Sequence, residues 1–330
     1  MNIVVTGGAG FIGSNFIKYI LKKYPDYKIL NIDKLTYAGN LDNLKEVENN
    51  KNYKFVKMDI CEREIEDLIT GYDVIINFAA ETHVDRAIEN PEIFLKTDIF
   101  GTFNLLEISR KKKIEKYIQI STDEVYGSIE NGSFDETSPL NPSNPYSASK
   151  ASADLLVLSY FKTYKLPVNI IRSTNNYGPN QYPEKFIPLL ITNGIDNKFL
   201  PIYGDGLYVR EWLYVEDNCR AIDLILHKGE DGEIYNVSSG EERENIYVAK
   251  KILEILGKPE SLIRFVKDRP GHDRRYSIKF EKLKKLGWEP LFKFEDGLEK
   301  TVNWYIENEW WWRKIKEGDF KEYYKKHYQI

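Results

Sequence analysis

Two cysteines and four histidines in 330 residues leave little from which to build a metal cage. Cys61 and Cys219 stand far apart, which argues against a disulfide framework and for a reducing compartment. His83, His227, His272 and His327 show no metal-ligand spacing, so no metal is expected. Long apolar runs are also missing: nothing approaches the roughly 20 residues that cross a bilayer. Met1 leads directly into the buried-strand run Ile3-Val4-Val5, with no secretory signal before it, so the expected location is cytoplasmic, without a membrane partner. Positive charge is not in surplus, because 47 Lys and Arg face 51 Asp and Glu for a net charge of −4. That balance excludes a global electrostatic reason to bind nucleic acid. There is no internal repeat and no low-complexity segment.

What is present is enough apolar material, 42% of the chain, for a large core in one large domain or two unequal ones. Short apolar runs at Ile3–Val5, Lys28–Ile32, Tyr53–Val56, Asp73–Phe78, Lys116–Ser121 and Pro167–Arg172 read as strands. Between them, Phe11–Lys23, Thr97–Lys111 and Tyr146–Tyr164 read as helices. This alternation predicts an α/β fold: a Rossmann-type, doubly wound parallel sheet with right-handed crossovers. After Tyr177-Gly178-Pro179 the pattern becomes irregular, and helices return near Val215–His227, Val248–Leu256, Phe280–Leu286 and Leu298–Lys314. The expected division is a dinucleotide-binding domain over 1–175 and a smaller, mainly C-terminal substrate-binding region over 176–330. Some strands and helices of the second part return to the first. Trp304, Trp310, Trp311 and Trp312 read as packing residues rather than a membrane-surface face, since Glu307, Glu309 and Arg313 share their helix.

Gly7, Gly8, Gly10 and Gly13 lie between the first strand and the first helix. Glycines there let the backbone turn tightly and approach a pyrophosphate at a helix N-terminus. Asp33, some twenty residues on, ends the second strand, where a carboxylate accepts from a ribose 2′-hydroxyl and repels a 2′-phosphate. NAD is therefore favoured over NADP, although the adjacent Lys34 could receive a phosphate. Asp59-Ile60 ends the third strand, and Asp59 suits either an adenine contact or a loop cap. Tyr146 and Lys150 share a helix face. A phenol is a poor base at neutral pH, and a nearby ammonium plus a positive nicotinamide would stabilise the phenolate. Ser121-Thr122-Asp123-Glu124 follows the fifth strand, at the sheet edge where ligands bind. Asp123 and Glu124 suit either an acid–base pair or a turn cap.

The segments TGGAGFIGS, DKLTYAGNL, FAAETHVDRA, STDEVYGS, NPYSASKASAD, STNNYGP, YPEKFIP, REWLYVED and DRPGHDRRY, in this order, resemble the dTDP-glucose 4,6-dehydratases of the extended short-chain dehydrogenase/reductase superfamily. The sequence is also similar to sugar 4-epimerases, which lack the Asp-Glu pair. Thr82 and Phe78 depart mildly from the serine and leucine frequent in the family. The resemblance implies Thr122, Asp123, Glu124, Tyr146 and Lys150 as catalytic residues. It implies NAD contacts at Gly7, Gly10, Phe11, Ile12, Gly13, Asp33, Lys34, Leu35, Thr36, Asp59, Ile60, Phe78, Ala79, Ala80, Thr97, Tyr146, Lys150 and Asn176. Substrate contacts are implied at Thr82, Thr122, Asn175, Lys185, Leu189, Pro201, Tyr203, Arg210, Asn245, Arg269 and His272. Arg210 and Arg269 suit a pyrophosphate, which guanidinium can bind in bidentate fashion. His83, by contrast, reads as structural at least as well as catalytic. His227 and His327 read as ordinary surface residues. A homodimer is implied through two helices whose apolar stripes are Phe100, Phe103 and Leu106, and Leu155, Leu158 and Phe161. A UDP-glucose substrate, 4-epimerisation, and a silent NAD-binding regulator remain as alternatives.

Overall fold

The computed structural model describes residues 1–268, 271–317 and Tyr324. Its elements run β1 (Asn2–Thr6), α1 (Phe11–Lys23), β2 (Lys28–Asp33), β3 (Tyr53–Lys57), α2 (Ile65–Leu68), β4 (Val74–Asn77), α3 (Val84–Glu89), α4 (Pro91–Phe94), α5 (Thr102–Lys112), β5 (Lys116–Thr122), α6 (Pro145–Tyr164) and β6 (Val168–Ser173). There follow β7 (Asn175–Tyr177), α7 (Phe186–Ile195), β8 (Leu200–Tyr203), β9 (Val209–Tyr214), α8 (Val215–Lys228), β10 (Ile234–Val237), β11 (Glu242–Glu244), α9 (Asn245–Leu256), β12 (Ile263–Val266), α10 (Glu281–Lys285), α11 (Phe294–Glu307) and α12 (Glu309–Lys316).

Seven strands form one parallel sheet in the order β10-β6-β5-β4-β1-β2-β3. Strands such as Val74–Asn77 and Val168–Ser173 are buried along their whole length, as a sheet covered on both faces requires. On one face Phe16, Ile17 and Ile20 of α1 pack with Ile222 and Ile225 of α8. On the other, Leu105 and Leu106 of α5 pack with Val157 and Tyr160 of α6. After β1 the chain winds outward through β2 and β3, then returns to place β4 on the other side of β1. The resulting crevice between the ends of β1 and β4 is a topological switch point, where such sheets bind ligands.

The remaining elements build a second core beside this sheet. Three strands (β11-β9-β7) and two (β12-β8) pack with α7, α9, α11 and α12 around Tyr177, Trp212, Phe294 and Trp311. The expected single helix Leu298–Lys314 is two, broken at Asn308, whose φ of −117° and ψ of 40° leave the helical region. The break turns α12 back, so that Trp311 Nε1 donates to Asn43 Oδ1 at 2.8 Å and Trp312 Nε1 to the Tyr305 carbonyl at 2.8 Å. Trp310 stays half exposed under the Lys45 ammonium. The expected helix Thr97–Lys111 also differs, since α5 is preceded by a π-helical turn, Leu95–Gly101. The wider turn carries Asp98 inward, and such turns often mark functional sites. Among the described residues no helix is long and apolar enough to cross a membrane.

Candidate active site

A cavity of about 290 Å³ opens at the switch point. Its floor is the turn after β1. Gly7 has φ of +69°, a left-handed conformation that glycine adopts without strain. A Cβ on Gly7 would lie 2.5 Å from the Ala79 nitrogen, and one on Gly13 would lie 2.6 Å from the Gly7 carbonyl oxygen. The turn is thus pressed against the end of β4 and against α1, whose N-terminus opens on the cavity through Gly10, Phe11, Ile12 and Gly13.

Asp33 ends β2 on the cavity wall and accepts from the Ala9 N–H at 2.9 Å and the Leu35 N–H at 2.8 Å. Burial pushes its carboxyl above the ordinary value, and the two N–H donors oppose this. Each oxygen keeps a lone pair for a ribose hydroxyl. The Lys34 ammonium is turned onto Asp59, 2.7 Å away, so the cation that could have received a 2′-phosphate is committed to a carboxylate. Thr36, Ile60, Phe78, Ala79, Ala80, Thr97 and Asn176 also line the wall. Leu35 does not: it takes a φ of +56° and supports Asp33 from behind.

At the other end of the cavity the wall is made of side chains. The N-terminus of α6 is fixed by Pro145 in its first turn and a capping box, with the Asn144 N–H donating to Ser147 Oγ at 3.2 Å and the Ser147 N–H to Asn144 Oδ1 at 3.0 Å. This presents Tyr146 and Lys150 to the cavity. Thr122 at the end of β5, and Asp123 and Glu124 of the 3-10 turn that follows, face them, with the Glu124 N–H donating to Thr122 Oγ1 at 3.2 Å. Asp123 is 2% exposed; its Oδ1 accepts from Thr122 Oγ1 at 3.2 Å, and its Oδ2 has no hydrogen-bond partner among the described residues. Burial, then Glu124 and Glu211, hold its carboxyl well above the usual carboxylate range. A carboxyl group held above its usual range beside a second carboxyl group is an arrangement that can serve general acid–base chemistry.

Burial, then the charges of Glu124 and Asp98, push Tyr146 well above its ordinary value, opposed by the Thr122 hydroxyl. Lys150 instead donates to the Ile120 carbonyl at 2.7 Å. The sequence counted the Lys150 ammonium and a positive nicotinamide as the charges favouring a phenolate; the carboxylates that oppose them were not visible in the spacing.

Thr82, Asn175 and Lys185 of the expected substrate contacts also line the cavity, with Lys185 Nζ donating to the Thr82 carbonyl at 2.6 Å. Leu189, Pro201, Tyr203, Arg210, Asn245 and His272 lie outside its wall. Leu189 packs with Tyr203 and with Tyr182, itself a wall residue. His272 stacks on Tyr208 at 3.7 Å, and the Asn245 N–H donates to the Tyr208 carbonyl at 3.0 Å. Pro201 is buried in β8. Arg210 is buried, donates to the Val209 and Asp273 carbonyls at 2.7 and 2.9 Å, and lies near enough to Asp123 to pull its carboxyl down. Arg269 and His327 lie outside the described residues. His83 is buried at the N-terminus of α3, off the cavity, and His227 bonds Tyr27 at 2.9 Å on the opposite side of the sheet. Wall residues that sequence reasoning did not name include Tyr37, Glu81, Gln181 and Tyr182. Tyr37, Glu81 and Tyr182 stood inside quoted motifs, and for Tyr37 and Glu81 their position in the loops after strands was the usable signal.

A seven-stranded parallel sheet of this order, a glycine turn at its first βα junction, and a Tyr–Lys pair facing that turn define a short-chain dehydrogenase/reductase. The model of the GDP-mannose 4,6 dehydratase family matches residues 4–301. The chain belongs to that family and, within it, to the dTDP-glucose 4,6-dehydratases. It is 52% identical to the low-salt glycan biosynthesis protein Agl12 of Haloferax volcanii, over 93% of this chain and 99% of that protein. The dTDP-glucose 4,6-dehydratase of Bacillus anthracis, solved with NAD, is 52% identical and superposes with a TM-score of 0.90 over 96% of this chain and 100% of that one. The Streptomyces venezuelae enzyme DesIV, solved with NAD and dTDP, is 46% identical with a TM-score of 0.94 over the same shares.

Proposed function

We propose that this chain converts dTDP-glucose to dTDP-4-keto-6-deoxyglucose and water, using NAD that is restored within each turnover. The observation that carries this reading is the buried, proton-retaining Asp123 beside Thr122 and Glu124, in one cavity with Tyr146 and Lys150. An epimerase has no use for such an acid. The dehydratases of similar sequence solved with NAD support the cofactor. The residues fit it: the Gly7–Gly13 turn with the α1 N-terminus suits a pyrophosphate, and Asp33 suits a ribose.

When bound, NAD supplies the oxidant for sugar carbon 4 and the reductant for carbon 6, and its positive ring supplies the charge that the Tyr146 phenol lacks. Tyr146 takes the proton of the 4-hydroxyl, and Thr122 donates to that oxygen. The 4-ketone acidifies the proton on carbon 5, which Glu124 removes. Asp123 gives its proton to the 6-hydroxyl, which leaves as water. Glu124 then returns a proton to carbon 5. Lys150 holds the nicotinamide ribose. Thr82, Asn175 and Lys185 suit the sugar, and Arg210 suits the nucleotide diphosphate. On this reading 1–175 carries the cofactor and 176–330 the sugar nucleotide, with α8 and β10 returning to the first sheet.

The free, separate Cys61 and Cys219 suit the cytoplasm. A homodimer is supported by Phe100, Phe103 and Leu155, which are 47%, 41% and 60% exposed, whereas Leu106 of the expected stripe is buried in the core. Light scattering on the purified protein tests the dimer. The activity test is incubation with dTDP-glucose and, separately, UDP-glucose, without added NAD. Loss of one water in the mass of the dTDP-sugar is expected; an isomer of unchanged mass would establish epimerisation instead.

A further inference from the structure

Behind the turn that carries Asp123 and Glu124 lies a buried polar network. The turn Asp123–Tyr126 ends in Tyr126, which is 1% exposed and stacks on Phe134 at 5.3 Å. The Tyr126 hydroxyl accepts from Arg172 Nη1 at 2.8 Å and donates to Asn236 Oδ1 at 2.9 Å. Arg172 Nε donates to Asp154 Oδ2 at 2.9 Å, and Ser121 Oγ donates to the same oxygen at 3.0 Å. Asp154 and Asn236 are fully buried, and Arg172 is 2% exposed. One run of hydrogen bonds therefore joins the end of β5, the catalytic turn, α6, β6 and β10. Asp154 stands one turn past Lys150 and two past Tyr146, on the same face of α6.

Stability alone does not account for this arrangement. Desolvating two charges can cost more than their attraction returns, and well-packed apolar residues of similar volume often serve a core as well or better. Directional hydrogen bonds among buried groups do favour one geometry, although Asp154 Oδ1 and Asn236 Nδ2 find no partner among the described residues. Apart from the network, the turn is held by the Asn141 N–H, which donates to the Val125 carbonyl at 3.0 Å, and by apolar contacts of Val125 and Tyr126 with Ala151 and Ile278; of these only the contact with Ala151 reaches α6, and it has no directional preference. The other half of the site has anchors of its own as well: Tyr146 is set by the capping box of α6, and Lys150 by the Ile120 carbonyl.

We propose that Asp154, Arg172, Tyr126 and Asn236 are positioning residues that register the acid–base turn against the Tyr146–Lys150 helix, so that elimination acts on the sugar that oxidation has prepared. This rests on the dehydratase reading. Its consequence is a split: weakening the network slows loss of water and leaves oxidation at carbon 4 intact.

The test uses the NAD-loaded protein and its Tyr126→Phe variant, which keeps the ring and deletes only the hydroxyl. After rapid mixing with dTDP-glucose, three signals are followed: reduced-nicotinamide absorbance, solvent deuterium entering carbon 5, and the 4-keto-6-deoxy product. Expected are a near wild-type rise in absorbance that persists, and a drop of roughly tenfold or more in deuterium entry and product. Asp154→Asn should give the same split, larger; should it fail to fold, Tyr126→Phe decides. Tyr235→Phe, which removes an acceptor of the Glu230 N–H at 2.9 Å elsewhere on β10, should leave both stages unchanged. Equal slowing of both stages in Tyr126→Phe, or wild-type product formation, overturns the network's role while leaving the dehydratase reading intact. If the wild-type protein forms no product, both fall.

Discussion

Where Gly7, Gly10 and Gly13 turn against Ala79 and Ala80, the cavity wall is mostly backbone, and what matters is the side chains that are missing. Where Thr122, Asp123, Glu124 and Tyr146 meet, the wall is side chain, drawn from segments that are distant in sequence and held by hydrogen bonds. The first end is damaged by adding atoms and the second by removing them. The two ends should therefore fail separately, one losing cofactor and the other losing chemistry.

The sharpest way to break this contrast is at the acid and base. Asp123→Asn and Glu124→Gln keep volume and delete a proton function, so turnover should fall about 10²- to 10⁴-fold while NAD stays bound. Product mass and the cofactor retained after gel filtration measure the two effects; loss of NAD in either variant would show the ends to be coupled. Gly13→Ala tests the opposite end. Its Cβ would sit 2.6 Å from the Gly7 carbonyl oxygen, and backbone shifts of this kind cost about 1–3 kcal/mol. NAD affinity, measured by calorimetry on cofactor-stripped protein, should weaken about ten- to a hundredfold, with turnover at saturating NAD little changed.

The smallest expected effect lies between the ends. Asp98 on the π-helical turn accepts from Ser149 Oγ at 2.6 Å and from the Glu81 N–H at 3.0 Å. Burial raises it from 3.8 to about 6, opposed by Lys150; Tyr146 and Glu81 are the other titratable groups facing it. Its native carboxyl therefore keeps a proton that the unfolded chain has released. Stability is lost as pH rises between about 4 and 6, by about 3 kcal/mol at most. Asp98→Asn lacks this loss, so its melting temperature should gain on the wild type by about a few degrees across that window. A constant difference would show Asp98 to titrate as an ordinary carboxylate.

The cofactor end was legible because backbone geometry dictates residue type: a turn this tight accepts little besides glycine. The strands and most helices were legible for a related reason, since fully buried parallel strands read as apolar runs. The carboxyl pair was half legible, because Asp123 and Glu124 could also have capped a turn, and the burial of Asp123 in the cavity wall does not show in spacing. Asp98 was invisible. Helical periodicity gives it one more polar position, and the widened turn that carries it inward leaves no mark on spacing. The break at Asn308 was missed because the tryptophans on either side continue an apolar stripe. Arg210 illustrates the converse: its residue type suited a phosphate, and spacing gave no sign that its guanidinium would meet the Val209, Asp273 and Arg274 carbonyls.

The outermost strand on one side of the main sheet, β10, is delivered by the ribosome long after the strand it covers. Until Ile234–Val237 emerges, the edge of β6 offers unpaired N–H and C=O groups to any passing strand. A nascent or truncated chain ending near residue 175 would thus hold the whole glycine turn and still carry an open seam. Expression of that fragment should favour inclusion bodies, and the first half of this protein must wait for the second before it can safely be left alone.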